Sequence, residues 1–292
     1  MRFKRIYVEI TNCCNLTCEF CSPLLRPKGT MRPEQFQYIL KQVKPFTNQV
    51  HLHVKGEPLM HPCLAQLLQI CEQEGIKANI TTNGTLLQKQ REILLQSSAL
   101  RQVNISLHSF SAGQKMDRKN YVTEAVSFAK IAARAKGKLV VLRLWNLDNN
   151  RRINNESKEV MAYIGQEFGA AHLESAMQAK RSVTLEKGVF LSWEEEFIWP
   201  SLKQPFQSNT GICYGMRNMI AILVDGTVVP CCMDGNGECS LGNVFYTPFA
   251  EIISSPRAQS MTENFRNWKV VEPLCQRCSY RLRFGTASSK HI

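Results

Sequence analysis

In the run EITNCCNLTCEFCSP, three residues separate Cys14 from Cys18 and two separate Cys18 from Cys21. Structural zinc takes four ligands, usually in paired short-spaced sets, and no second pair lies nearby. Three thiolates on one tight loop suit a cubane iron-sulfur cluster instead, because they hold three of its irons and leave the fourth open to another ligand. Cys13 adjoins the triad without sharing its spacing and is read as buried or incidental.

The rest of the chain must position that loop. Its 292 residues, 44% of them hydrophobic, suffice for one large domain with a small appendix. MRFKRIYVEI runs straight into alternating strand residues with no signal-peptide pattern, and no apolar run reaches membrane-spanning length. A cytoplasmic protein without membrane contact is the expectation. Twelve cysteines there argue for metal, cluster or redox chemistry over disulfides. Cys63 and Cys71 stand apart, flanking LAQLLQI, and are read as small buried residues. The net charge of +12 is scattered, and ligated clusters would lower it by about 3. No stable nucleic-acid binding is expected from it.

Hydrophobic periodicity alternates between strand and helix. RIYVEIT, QVHLHVK, IKANITT, RQVNISLHS and KLVVLRLWNL read as strands, and AHLESAM as a weaker sixth. The segments 33–46, 62–74, 86–96, 117–136 and 152–168 read as helices between them. Alternation of this length implies an α/β fold with parallel strands, either doubly wound or a full or partial barrel. Chemistry in such folds gathers at the strand C-terminal ends, where Cys14, Gly56, Glu57, Thr82, Asn83 and His108 fall. From about residue 178 the pattern turns extended and then turn-rich. The boundary is set at 1–200 for the strand-helix domain and 201–292 for a short cysteine-rich one.

CNLTCEFC, placed after a first strand and before a helix, resembles the cluster motif of radical S-adenosylmethionine (AdoMet) enzymes. KGEP at 55–58 is similar to that family's glycine-glycine-glutamate-proline motif, with Lys55 in place of the first glycine. The resemblance implies a partial (β/α)6 TIM-like barrel, a [4Fe-4S] cluster on Cys14, Cys18 and Cys21, and AdoMet as cofactor. It further implies that Gly56 and Glu57 meet the methionine amino group and that Phe20 lies near the adenine. Thr82, Asn83 and Ser106 would line the cofactor, with Arg143 or Asn146 serving from the fifth strand. A reducing partner such as flavodoxin or ferredoxin is implied as well.

Twelve residues separate Cys213 from Gly226 and four separate Gly226 from Cys231; Cys275 and Cys278 form a further pair. This resembles the first half of the SPASM motif, shortened to the single-cluster Twitch form, and implies an auxiliary [4Fe-4S] cluster on Cys213, Cys231, Cys275 and Cys278. NMIAILVDGTVVPCC reads as a hairpin turning at Asp225 and Gly226. Cys232 is the alternative to Cys231, because neighbours in a strand point to opposite faces, and spacing favours Cys231. A structural zinc ribbon would use the same residues.

No appended recognition domain is visible, so a small molecule in the barrel mouth is the economical substrate. SWEEEFIWP sets Glu194, Glu195 and Glu196 among aromatics, a carboxylate-and-ring arrangement suited to a guanine-like base. Its structural alternative is a helix start with Ser192 capping and Glu195 three residues on. His108 and Arg143 are further candidates to meet substrate. In size and motif set the chain most resembles queuine lyases, which release aminomethyl-deazaguanine from queuine. The alternatives are a radical maturase acting on a ribosomally made peptide and a non-enzymatic zinc or RNA-binding module.

Overall fold

The structure is a computed structural model and describes residues 2–111 and 117–284, so the last residues of the expected 201–292 domain lie outside it. Through the first two thirds of the chain, strand and helix alternate as β1 (Arg5–Val8), α1 (Pro33–Val43), β2 (Gln49–His51), α2 (Leu64–Gln73), β3 (Lys77–Thr82), α3 (Leu87–Gln96), β4 (Leu100–Ser106), α4 (Arg118–Lys136), β5 (Leu139–Leu147), α5 (Asn155–Phe168), α6 (Leu173–Ala179), β6 (Ser182–Glu186) and β7 (Val189–Glu195). Asp117 and Asn154 cap α4 and α5 by accepting from backbone N–H groups of the first turn, and left-handed Gly137 and Gly169 end them.

Strands β1 to β5 and β7 are parallel neighbours in that order, and β6 closes the far edge antiparallel to β7. The weak strand expected at AHLESAM is instead helix α6: Leu173 and Met177, four residues apart, are the two side chains it buries. The sixth parallel strand is β7, where Val189, Leu191 and Trp193 are buried in alternation.

Period-two alternation divides the sheet into two faces. Ile6, Val8, Val50, Leu52, Ile80, Val103, Ile105, Leu142 and Leu144 pack beneath the helices in the main core. The intervening residues Arg5, Tyr7, His51, Asn104, Arg143 and Trp145 border one shared cavity. With Thr81 of β3, five neighbouring strands of the sheet line a single cavity, so this part of the sheet is curled and its polar face is the concave one, as in a partial barrel.

The C-terminal part extends the same sheet. β8 (Met219–Ile222) pairs parallel with β1 from Arg5↔Met219 to Val8↔Ile222, then β9 (Thr227–Val229) and β10 (Gly242–Asn243) continue antiparallel. Helices α7 (Phe249–Ser254), α8 (Pro256–Arg266) and α9 (Pro273–Gln276) follow. The hairpin turns at Gly226 with φ of +86°, where a Cβ would meet the Phe245 ring at 2.4 Å. Among the described residues, no helix is long and apolar enough to cross a membrane.

Candidate active site and cluster sites

Between β1 and α1 the chain folds over the mouth of the barrel, and Cys14, Cys18 and Cys21 all border a cavity of about 660 Å3. The loop is fixed locally: Glu57 N–H donates to Cys13 O at 2.8 Å, and Leu16 N–H points at Cys14 Sγ at 3.4 Å. Burial and the neighbouring thiols push Cys18 up to about 11, and burial first among several causes raises Cys14. Such thiols are inert until a bound cation draws off their protons. Three sulfurs bordering one cavity suit a cluster in which each holds its own iron.

Glu9 ties this loop to its surroundings. Fully buried at the end of β1, its carboxylate takes the Arg26 guanidinium at 2.7 and 3.0 Å and the backbone N–H groups of Lys55 and Val224, each at 3.0 Å. One side chain thus joins the cluster loop, the KGEP turn and the β8–β9 hairpin. Changing Glu9 to Gln presents a donor to these donors and is expected to cost about 3 kcal/mol, read as a lower midpoint in urea unfolding.

The KGEP turn crosses β1's extension so closely that Gly56, at φ of +76°, has no room for a Cβ. Glu57 is buried and accepts from Thr82 Oγ1 and Asn83 N–H, both at 2.7 Å, and from Leu59 N–H at 3.0 Å. Burial outweighs these hydrogen bonds and pushes its carboxyl up to about 7. Asn83 also reaches Cys14 Sγ at 3.9 Å, so the second- and third-strand segments meet the cysteine loop.

Gly56, Glu57, Thr82, Asn83, Phe20, Ser106, His108 and Arg143 all border the main cavity. Phe20 packs on His108 with ring centroids 5.1 Å apart. His108 takes Trp145 N–H at 3.3 Å, and burial lowers it to about 4, so the ring is neutral. Arg143 stacks on Trp145 at 4.4 Å, and its buried Nε has no partner among the described residues. Asn146 turns away from the cavity lining to donate to Ser157 on α5 at 2.9 Å.

The acidic stretch divides differently from the expectation. Ser192 to Glu195 finish β7, so no helix starts there. Glu194 is held by Arg181 and Arg283 at 3.2 and 3.3 Å, Glu195 lies 3.9 Å from Arg151, and neither borders the cavity. Glu196, Phe197 and Trp199 do border it.

Sequence reasoning missed Tyr7, His51 and His53, which line the cavity floor. The signal was present: each alternates with buried apolar residues and so belongs to the opposite, concave face. Burial lowers His51 to about 3 and His53 well below its usual value, so both are neutral.

Cys213, Cys231, Cys275 and Cys278 border a second, small cavity with Arg281. Burial, and after it the Cys278 thiol, push Cys213 up to about 11. Arg281 braces the set by donating to Cys275 O at 2.9 Å, Thr210 O at 2.7 Å and Ser208 O. Cys232 faces the other way, into the main cavity against Tyr7; the two cysteines lie in the turn after β9, so the turn and not strand alternation separates them. Cys239, which lies outside the motif, is buried and hydrogen-bonded to Cys275. A Cys231→Ala chain is expected to lose about four irons on iron and sulfide analysis, whereas Cys232→Ala keeps its full complement.

The family model "Radical SAM superfamily" matches residues 8–151, and the model "Iron-sulfur cluster-binding domain" (SPASM) matches 213–279. A GTP 3′,8-cyclase of Aquifex aeolicus is 30% identical over 142 residues, 46% of this chain and 44% of that protein. The chain thus spans less than half the length of that relative. A PqqA peptide cyclase of Streptomyces rochei is 26% identical over 266 residues, covering 87% of this chain and 70% of that protein. The crystal structure of Streptococcus suis SuiB bound to precursor peptide SuiA superposes with a TM-score of 0.64 at 16% identity, over 97% of this chain and 73% of SuiB. Two domain matches, one on each cysteine set, show that this chain carries a radical SAM domain, which implies a [4Fe-4S] cluster with AdoMet, followed by a SPASM domain, which implies auxiliary iron-sulfur.

Proposed function

We propose that the chain is a radical AdoMet enzyme that takes a hydrogen atom from a substrate seated in the barrel mouth, and that this substrate is a ribosomally made peptide. The observation that carries the peptide reading is the PqqA peptide cyclase alignment, which covers 87% of this chain and so extends beyond the barrel alone. When bound, the cluster and AdoMet together supply a 5′-deoxyadenosyl radical. Cys14, Cys18 and Cys21 hold the first cluster, and Cys213, Cys231, Cys275 and Cys278 hold the second. Gly56 lets the KGEP turn approach, Glu57 takes the AdoMet ammonium, and Phe20, Thr82, Asn83, Ser106 and Arg143 line the cofactor and the space beside it. A flavodoxin- or ferredoxin-class protein supplies electrons. Residues 1–200 carry the radical chemistry and 201–292 the auxiliary centre.

One specific feature favours a second reading, queuine cleavage: Glu196, Phe197 and Trp199 border the cavity, a carboxylate with two rings that suits a deazaguanine base. The test of both is anaerobic reconstitution, reduction with AdoMet, and mass analysis after adding either synthetic peptides encoded beside the gene or queuine. Deoxyadenosine with a crosslinked peptide supports the first reading, and released aminomethyl-deazaguanine the second. Bound zinc without deoxyadenosine overturns both.

Glu57 gives a pH signature. With no cation facing it, its carboxyl titrates near 7, so AdoMet binding below that pH must displace a proton. Affinity by equilibrium dialysis is expected to rise about tenfold per pH unit towards 7 and to level off above. A flat profile removes Glu57 from contact with the ammonium. In the AdoMet-free protein the raised value acts on the fold in the opposite sense: its stabilising contribution is full below about 4.5 and is lost as pH rises through about 7.

A further inference from the structure

We infer that Lys55 is a positioning residue of the first cysteine loop: its ammonium, clamped against Cys21 by the C-terminal half of the chain, makes a cluster on Cys14, Cys18 and Cys21 easier to reduce. The inference rests on the cluster assignment proposed above.

Lys55 stands where the motif it resembles has a glycine. It is only 5% exposed. Its Nζ donates to Ser22 O at 2.6 Å and to Ser22 Oγ, lies 3.6 Å from Cys21 Sγ, and sits 4.4 Å from the centre of the Trp199 ring. These partners are a carbonyl, a hydroxyl, a thiol and a ring, and none is a carboxylate. The Glu9 carboxylate that acts on Lys55 from further off is already paired with Arg26, so a ligand thiolate at Cys21 gives the ammonium a counter-charge in direct contact.

The ammonium is also held from outside its own turn. Gly235 lies so close that a Cβ there would come within 2.8 Å of Lys55 Cε. The carbonyl of Gly235 takes Arg26 Nε at 3.0 Å, and Asn236 accepts from Leu25 N–H at 3.0 Å and donates to Pro23 O at 3.2 Å. The segment following Cys231 and Cys232 therefore fixes both the cysteine loop and the stem of Lys55. Trp199 and Gly235 pack on the ammonium and the stem respectively, and the residue is 5% exposed.

One-electron reduction adds negative charge to a cluster, and a fixed cation beside a ligand sulfur stabilises the reduced form. Net charge and hydrogen bonds to the sulfurs are among the factors that set the potential of such clusters. Removing the ammonium should lower the reduction equilibrium constant about tenfold, a downward shift of 59 mV for one electron.

The test compares reconstituted wild type, Lys55→Met and Lys55→Arg by iron analysis and by a redox titration followed by electron paramagnetic resonance. The signal that changes when AdoMet is added identifies the first cluster. A full iron count in all three, with the midpoint lowered in Lys55→Met and largely kept in Lys55→Arg, is the expected result. A Lys55→Met cluster that titrates at the wild-type potential overturns the inference and leaves the cluster assignment intact. Should Lys55→Met fail to load iron, loading restored in Lys55→Arg supports the role of the charge, and failure of both variants overturns it as a packing effect. A wild-type chain that binds no iron at the first loop removes the cluster assignment itself.

Discussion

A Cys18→Ala chain is expected to fold normally, to bind about four fewer irons than wild type after reconstitution, and to form no 5′-deoxyadenosine. The three effects separate because the role proposed for Cys18 is chemical and its thiol packs little. It sits half-buried on a loop, and truncating a thiol at such a position costs at most about 1 kcal/mol. Its thiol, raised to about 11, rests in the protonated form until iron draws the proton away, so the apo fold does not depend on its charge. With two thiolates left, the loop cannot hold three corners of a cubane. Iron and sulfide counts, circular dichroism and mass analysis of the nucleoside product check the three parts. Undiminished deoxyadenosine from a chain shown to lack the first cluster would refute the assignment.

Changing Gly56 to Ala should be the most damaging single methyl addition in the barrel mouth. Its Cβ would lie 2.4 Å from Thr11 O and 2.8 Å from the Asn12 backbone, atoms fixed by the end of β1 and unable to swing aside. The left-handed backbone adds about 1–2 kcal/mol and the overpacking about 1–3 kcal/mol. Relief comes only by lifting the KGEP turn off the cysteine loop, which breaks the 2.8 Å bond from Glu57 N–H to Cys13 O and moves Glu57 away from the cavity. The expected result is a thermal midpoint lower by roughly 5–10 °C together with loss of AdoMet binding. Gly75→Ala is the control: it too has positive φ, +66°, but nothing lies within 4 Å, so only about 1 kcal/mol should be lost and binding kept. Equal damage from both substitutions would show that backbone strain alone, and not the crossing at Thr11, is responsible.

Much of the site was legible because its parts are local. The spacing of Cys14, Cys18 and Cys21 lies within one loop, and Gly56, Glu57 and Asn83 follow, and Thr82 ends, strands whose alternation is plain. Glu57, Thr82 and Asn83 then meet in one hydrogen-bonded group, as strand-end residues of neighbouring parallel strands must. AHLESAM was misread because an irregular run of seven residues carries too few apolar positions to choose between periods. The spacing of Leu173 and Met177 decided it as a helix. Asn146 was drawn off by Ser157, and Glu194 and Glu195 by arginines from positions 151, 181 and 283, contacts between segments remote in sequence.

By itself the sequence determined the alternating α/β order, the two cysteine sets, the Asp225–Gly226 turn and the strand ends at which chemistry gathers, since each depends on neighbours a few residues apart. Tertiary structure alone decided which of two adjacent cysteines faces which cavity, that Glu9 joins the cluster loop to the C-terminal hairpin, and that Lys55 is held between Cys21, Trp199 and Gly235. These depend on β8 pairing with β1 across more than two hundred residues of chain. No local pattern encodes that pairing, because it comes from burying one strand's apolar face beside another.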